Sequence, residues 1–188
     1  MHNKSRRTSL LLFLKRTRNS NVMKQKNIIL IGMSGAGKST LGVLLAKALG
    51  KHFVDTDILI QQHTGKLLQE IIDEEGVQRF LEVEEQVVSE LDLKNTVIAT
   101  GGSVVYSKKA MQRLKQNGIV VYLAVGYEEL KGRLLNITTR GIVFKGASDL
   151  RSVYEERLPL YEKYADITVR SATLDIEASV AKIMEALK

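Results

Sequence analysis

The residues with the clearest chemical purpose are Gly32-Met33-Ser34-Gly35-Ala36-Gly37-Lys38-Ser39-Thr40. They fit the pattern G-x-x-x-x-G-K-[ST], and polyphosphate binding explains each residue type. The glycines let the backbone turn so that the N–H groups around Gly35, Ala36 and Gly37 converge on an anion. Those groups lead into a helix start at Ser39 and Thr40, where unpaired donors and the helix dipole favour negative charge. Lys38 has the reach for the β- and γ-phosphates, and the Ser39 hydroxyl is suited to ligate Mg²⁺. Nucleoside triphosphate binding is the reading this stretch supports.

Phosphoryl transfer needs more than a phosphate cradle. An acid must hold the shell of the metal and, where the acceptor is an alcohol, an acid must lie near that hydroxyl. Asp55 and Asp57 are the candidates. In an extended segment they would point the same way, because side chains alternate with period two. The alternative is a pair of solvated loop acids, or a helix N-cap at Asp57. Arg133, Arg140, Arg151 and Arg157 form a basic run whose planar donors suit phosphate and carboxylate. For Arg133 and Arg151 an equal alternative is surface pairing with Glu128, Glu129, Glu155 and Glu156. His2, His52 and His63 have no ligand spacing.

The elements that must position these groups are legible from periodicity. Ile28-Ile29-Leu30-Ile31 reads as a buried strand, and Leu41, Leu44, Leu45 and Ala48 fall on one helical face with Gly50 as the stop. Lys51 to Asp57 reads as a short strand ending in the two acids. A helical region follows over about 58–93, broken near Gly65 and Gly76. Val97 to Thr100 is a strand ending at Gly101-Gly102-Ser103; a helix over Lys108–Gln116 leads to a strand at Ile119–Leu123. Tyr127–Leu135 and Leu150–Ala165 read as helices, with an aperiodic segment at about 136–149 between them. Asp166–Val169 is a last strand and Ile176–Leu187 a closing helix. Strands separated by helices imply a parallel sheet covered on both faces, with ligands at the carboxyl ends of the strands. Gly32, Asp55, Asp57, Gly101 and Gly102 all fall there.

The chain of 188 residues is 44% apolar and 26% charged, ordinary for one soluble globular domain. The formal charge of +7 hints at nucleic acid, but Lys4, Arg6, Arg7, Lys15, Arg16 and Arg18 supply six of those charges before Met23, where no acid occurs. The remainder is near neutral, so no nucleic-acid partner is expected. Residues 1–22 read as a basic, disordered extension or an upstream start, with 23–188 as the working domain; an organellar transit peptide or membrane-surface segment is the alternative. Leu10–Leu14 is too short for a secretory core or a bilayer span, and no membrane partner is expected. The absence of cysteine excludes disulfides and thiolate chemistry and suits a cytoplasmic protein.

Over nearly its whole length from Ile28 to Val169 the chain resembles the shikimate kinase family. The matching stretches are 32–40, Phe53-Val54-Asp55-Thr56-Asp57, Phe80 with Glu84, Ala99-Thr100-Gly101-Gly102, and Arg157-Leu158-Pro159-Leu160-Tyr161. The resemblance implies a P-loop α/β/α kinase akin to nucleoside monophosphate kinases. It would have a five-stranded parallel sheet, a substrate-binding helical region at about 58–93 and a lid at about 136–149. It implies ATP with Mg²⁺, a small-molecule acceptor and a monomer. Lys38 and Ser39 would hold nucleotide and metal, with Asp55 in the outer shell of the metal. Asp57 would contact the acceptor hydroxyl, and the backbone of Gly101 and Gly102 would line the substrate. Arg140 would be the lid arginine on nucleotide and transferring group, and Arg157 would grip a carboxylate.

Three positions depart from the family pattern. Leu81 stands where the family has a carboxylate-binding arginine, Ser103 replaces a third glycine, and the lid motif reads Arg140-Gly141-Ile142-Val143. Arg79 is on the same expected helix but roughly 200° away from Leu81, and should not substitute. The nucleotide machinery is intact. The expectation is therefore transfer from ATP to a hydroxyl of a small anionic metabolite, shikimate first. A kinase of another hydroxylated metabolite and a non-catalytic nucleotide-binding regulator are the alternatives.

Overall fold

The apolar runs Ile28–Ile31, Val97–Ala99 and Val120–Leu123 pair side by side at the centre of one parallel sheet. The computed structural model describes residues 25–135, 149–170 and 176–187. Its strands are β1 (Asn27–Ile31), β2 (His52–Asp55), β3 (Thr96–Ala99), β4 (Gly118–Ala124) and β5 (Ile167–Arg170), in the spatial order β2-β3-β1-β4-β5. Every pairing is parallel, with Ile29 opposite both Ile98 and Val120. Strands buried on both faces can be continuously apolar, which is why β1 and β4 lack alternation.

The helices are α1 (Lys38–Leu49), α2 (Thr56–Thr64), α3 (Leu68–Ser89), α4 (Lys108–Gln116), α5 (Tyr127–Leu135), α6 (Leu150–Tyr164) and α7 (Ile176–Ala186). A single 3-10 turn, Val104–Tyr106, follows the Gly101-Gly102-Ser103 loop. The main core gathers Ile29, Leu30, Leu45, Val88, Met111, Leu123 and Tyr161 around the sheet. A second cluster, Ile60, Ile71, Phe80, Val83 and Val87, fastens α2 to α3, and Leu81 packs at its edge. The acceptor-side helices thus carry their own small core.

Most expected elements are found within a residue or two, and Gly50 ends α1 as anticipated. Gly76 breaks the backbone inside α3 with φ 85° and ψ 164°, a conformation that side chains with a Cβ rarely adopt. One expectation fails. Asp55 and Asp57 do not share an extended strand: β2 stops at Asp55, and Asp57 is already in the first turn of α2. The Asp55 carboxylate accepts a hydrogen bond from the Asp57 N–H at 2.9 Å, so capping ends the strand before period two can apply. The expected tail at 1–22 and nearly all of the lid at 136–149, including Arg140, lie outside the described residues. The helix cap Asp149 is described.

Candidate active site

Of the expected catalytic groups, Lys38 and Asp57 meet in one cleft at the carboxyl ends of β1, β2 and β3. Ser34, Gly35, Gly37, Lys38, Ser39, Asp55, Asp57, Thr100 and Gly102 line it, and it encloses about 460 Å³. Ile58, Gln61, Leu67, Leu68 and Gln69 line it as well. The loop reaches this place because β1, the central strand, ends at Ile31 and residues 32–37 lead straight into α1 at Lys38. Gly37 takes φ 92° at the N-cap and has no side chain to cap with, leaving first-turn N–H groups to face an anion.

Lys38 is 8% exposed despite its charge. Its Nζ donates to the carbonyls of Gly32 at 2.8 Å and Met33 at 2.9 Å, which folds the side chain back over the loop. A buried ammonium held this way is preorganised beside the phosphate cradle. Ala36 and Thr40 line a neighbouring hollow with Gly37, Leu41, Arg133, Ile176 and Ser179. Arg133 there donates to the Gly35 carbonyl at 3.2 Å and pairs with Glu129. It is thus both a helix-surface ion pair and a wall of the phosphate loop. Arg151 follows the surface alternative alone, paired with Glu128 and lying over the Tyr127 ring at 4.0 Å.

The Gly101-Gly102 loop is held from two sides. The Gly101 N–H donates to the buried Thr56 hydroxyl at 3.1 Å, and the Tyr161 hydroxyl donates to the Gly102 carbonyl at 2.6 Å. Neither position has open space for a side chain, and Gly101 is the tighter of the two. A Cβ on Gly101 would overlap the Glu84 carboxylate and approach Asp57, and one on Gly102 would sit 3.1 Å from Arg157 Nη1 and 3.0 Å from Ser34 Oγ. Arg157 itself is 1% exposed. The loop is therefore the meeting point of Asp57, Glu84, Arg157 and the phosphate-binding segment.

A family model described as shikimate kinase matches residues 34–188. A shikimate kinase of Thiobacillus denitrificans is 40% identical over 152 residues, covering 79% of this chain and 83% of that protein. The chain belongs to the shikimate kinase family. The shikimate kinase of Thermodesulfovibrio yellowstonii is 37% identical over 163 residues, covering 85% of this chain and 94% of its own. Among solved structures, the shikimate kinase of Acinetobacter baumannii in complex with shikimate superposes with a TM-score of 0.81 at 33% identity, covering 89% of this chain and 96% of that one. The P-loop kinase fold and the kinase class expected from sequence are borne out.

Glu84 was visible in sequence only as a matching residue without a task. In this member of the family it is 2% exposed, and among the described residues its Oε1 has no hydrogen-bond partner. Burial pushes its carboxyl up to about 7; a Ser103 hydrogen bond opposes the rise, the Asp57 charge adds to it, and Arg157 and Lys38 oppose it. The only signal in sequence was an acid on the apolar face of α3, between Phe80, Val83 and Val87. Because the folded value lies above the ordinary 4.5, the folded chain binds more protons between those two values. Stability should therefore fall as pH rises through about 4.5 to 7. Glu84→Gln should flatten that slope in denaturant titrations at about pH 5 and about pH 8. An identical slope in both chains would show that Glu84 does not carry it.

Leu81 lines a second hollow with Glu82, Glu84, Glu85, Ser103, Tyr106 and Ser107. Arg79, as expected, turns away and pairs with Glu75 and Glu82 on the surface. Among the described residues, those of α3 that line this hollow include no cation.

Proposed function

We propose that the chain transfers the γ-phosphoryl group of ATP to a hydroxyl of shikimate, giving shikimate 3-phosphate. The observation that carries this reading is the convergence of phosphate loop, Asp57 and Gly102 in one cleft, with buried Arg157 directly behind the loop. Backbone N–H groups from Gly35 to Thr40 would hold the phosphates, and Lys38 would swing from the loop carbonyls onto the β/γ oxygens. The Ser39 hydroxyl and, through the outer shell, Asp55 would hold Mg²⁺, which neutralises phosphate charge when bound. Both residues line the cleft, a donor set that fits a metal shared with phosphates. Asp57 would take the proton of the acceptor hydroxyl as its oxygen bonds to the γ-phosphorus and the bond to the β–γ bridging oxygen breaks. Arg140 would act on the transferring phosphoryl from the lid, Gly101 and Gly102 would line the acceptor, and Arg157 would hold its carboxylate. A monomer suffices, since each assigned group comes from one chain.

A second reading has one observation in its favour. Leu81 stands where the family has an arginine and lines a hollow with Glu82, Glu84 and Glu85, which fits an acceptor without a carboxylate at that end. Kinetics of the full chain and of Leu81→Arg with shikimate and with uncharged polyols decide between them. An arginine at 81 would lie one helical turn from Glu84 and face the same hollow. With shikimate as the substrate, its KM should fall about ten-fold, the size of one charge-assisted contact, and kcat should move little. Absence of shikimate turnover in both chains, with turnover of another alcohol, would overturn the shikimate assignment.

A further inference from the structure

The pattern G-x-x-x-x-G-K-[ST] leaves Ser34 free to vary, yet the phosphate loop and the acceptor-lining loop abut at this residue. A Cβ on Gly102 would lie 3.0 Å from Ser34 Oγ and 3.2 Å from Ser34 N. On the adjacent residue, a Cβ on Gly101 would lie 2.9 Å from Asp57 Oδ1. Ser34, Lys38, Asp57 and Gly102 line the same cleft. Ser34 is half-buried, and among the described residues no hydrogen bond engages its hydroxyl.

The surroundings of this open hydroxyl say what it can meet. Lys38 Nζ is held on the carbonyls of Gly32 and Met33, the two residues before Ser34, and marks the phosphate end of the cleft. Asp57 marks the place where the acceptor hydroxyl gives up its proton. The phosphoryl group in flight must pass between those points, with its charge spread over three equatorial oxygens. Ser34 belongs to the loop that releases this group and lies against the loop that lines the acceptor. A serine hydroxyl is a neutral donor, so it can add a hydrogen bond there without opposing the ammonium of Lys38.

We propose that Ser34 is a catalytic residue whose hydroxyl donates a hydrogen bond to an equatorial oxygen of the transferring phosphoryl group. No bond to Ser34 forms or breaks: the acceptor proton goes to Asp57, and Ser34 keeps its own. A donor aimed at charge that develops during transfer stabilises the transition state more than the bound nucleotide. This rests on the phosphoryl-transfer reading above, and not on which alcohol is the acceptor.

The test compares the full chain with Ser34→Ala, which removes only the hydroxyl oxygen and should melt at the same temperature. Calorimetry with Mg²⁺ present reads two affinities, for ADP alone and for ADP with aluminium fluoride, a mimic of the phosphoryl group in flight. Affinity for ADP alone should stay within about two-fold, because the missing hydroxyl has no partner in that complex. Affinity for ADP with aluminium fluoride should fall about ten-fold or more, the effect of one hydrogen bond to a charged group. With shikimate as acceptor, kcat should fall about ten- to a hundred-fold, with KM for ATP and for shikimate within about two-fold. Equal affinity of both chains for ADP with aluminium fluoride, or an equal loss on ADP alone, overturns the catalytic role. A rise in KM for shikimate with kcat unchanged also overturns it, and assigns the hydroxyl to the acceptor instead. Absence of shikimate turnover by the unaltered chain is a separate result: it overturns the acceptor reading, while the fluoride comparison still decides on Ser34.

Discussion

Replacing Lys38 by alanine is expected to lower turnover by about a hundred- to a thousand-fold, the effect of removing one preorganised charge from a phosphoryl-transfer site. The side chain is poised for this, buried and donating to the Gly32 and Met33 carbonyls at 2.8 and 2.9 Å. Exchange of those carbonyls for phosphate oxygens would cost little motion, because the loop and its lysine already share one surface. Folding should survive, since α1 and the sheet hold through Ile29, Leu30, Leu41 and Leu45 rather than through the ammonium. ADP release at saturating ATP and shikimate, read beside a thermal melt, gives the answer. A folded variant that keeps more than about a tenth of its turnover would remove Lys38 from the chemistry.

Asp57→Asn is expected to have an effect of comparable size, about a hundred- to ten-thousand-fold on kcat, with ATP affinity nearly unchanged. Asparagine keeps the shape of the side chain in the first turn of α2 and keeps the N–H that caps against Asp55. What it loses is the capacity to take a proton, and it also removes the negative charge that bears on Glu84. The split between kcat and nucleotide affinity separates a base from a structural acid. Equal loss of ATP binding would assign Asp57 to the metal shell, and turnover within ten-fold of the unaltered chain would end its role as base.

Local pattern settled a great deal about this protein. The run Ile28–Ile31, the glycine-lysine segment and the helical face of Leu41, Leu45 and Ala48 together specify strand, phosphate loop and helix, because each depends only on neighbours within a turn or two. The alternation of strands with helices was enough for a parallel sheet. Gly101 and Gly102 already fell at the end of an expected strand, on the side where ligands bind.

Tertiary structure decided the rest. Asp55 capping the first turn of α2 overrode the alternation that had placed both acids on one face, because a side chain–backbone hydrogen bond won over strand periodicity. Which strands neighbour one another, β2-β3-β1-β4-β5, follows from how the helices pack across the sheet and has no local signature. The groups around the acceptor loop are far apart in sequence: Thr56 and Gly101 are 45 residues apart, Tyr106 and Arg157 are 51, and Gly102 and Tyr161 are 59. No periodicity links such positions. An acid on an apolar helix face and a tyrosine after a glycine loop look unremarkable in sequence. Among the described residues, folding buries Glu84 without a donor for Oε1 and sets Tyr106 against the one buried arginine. Burial changes the free energy of a charge far more than sequence context does, and burial exists only once the chain has closed around it.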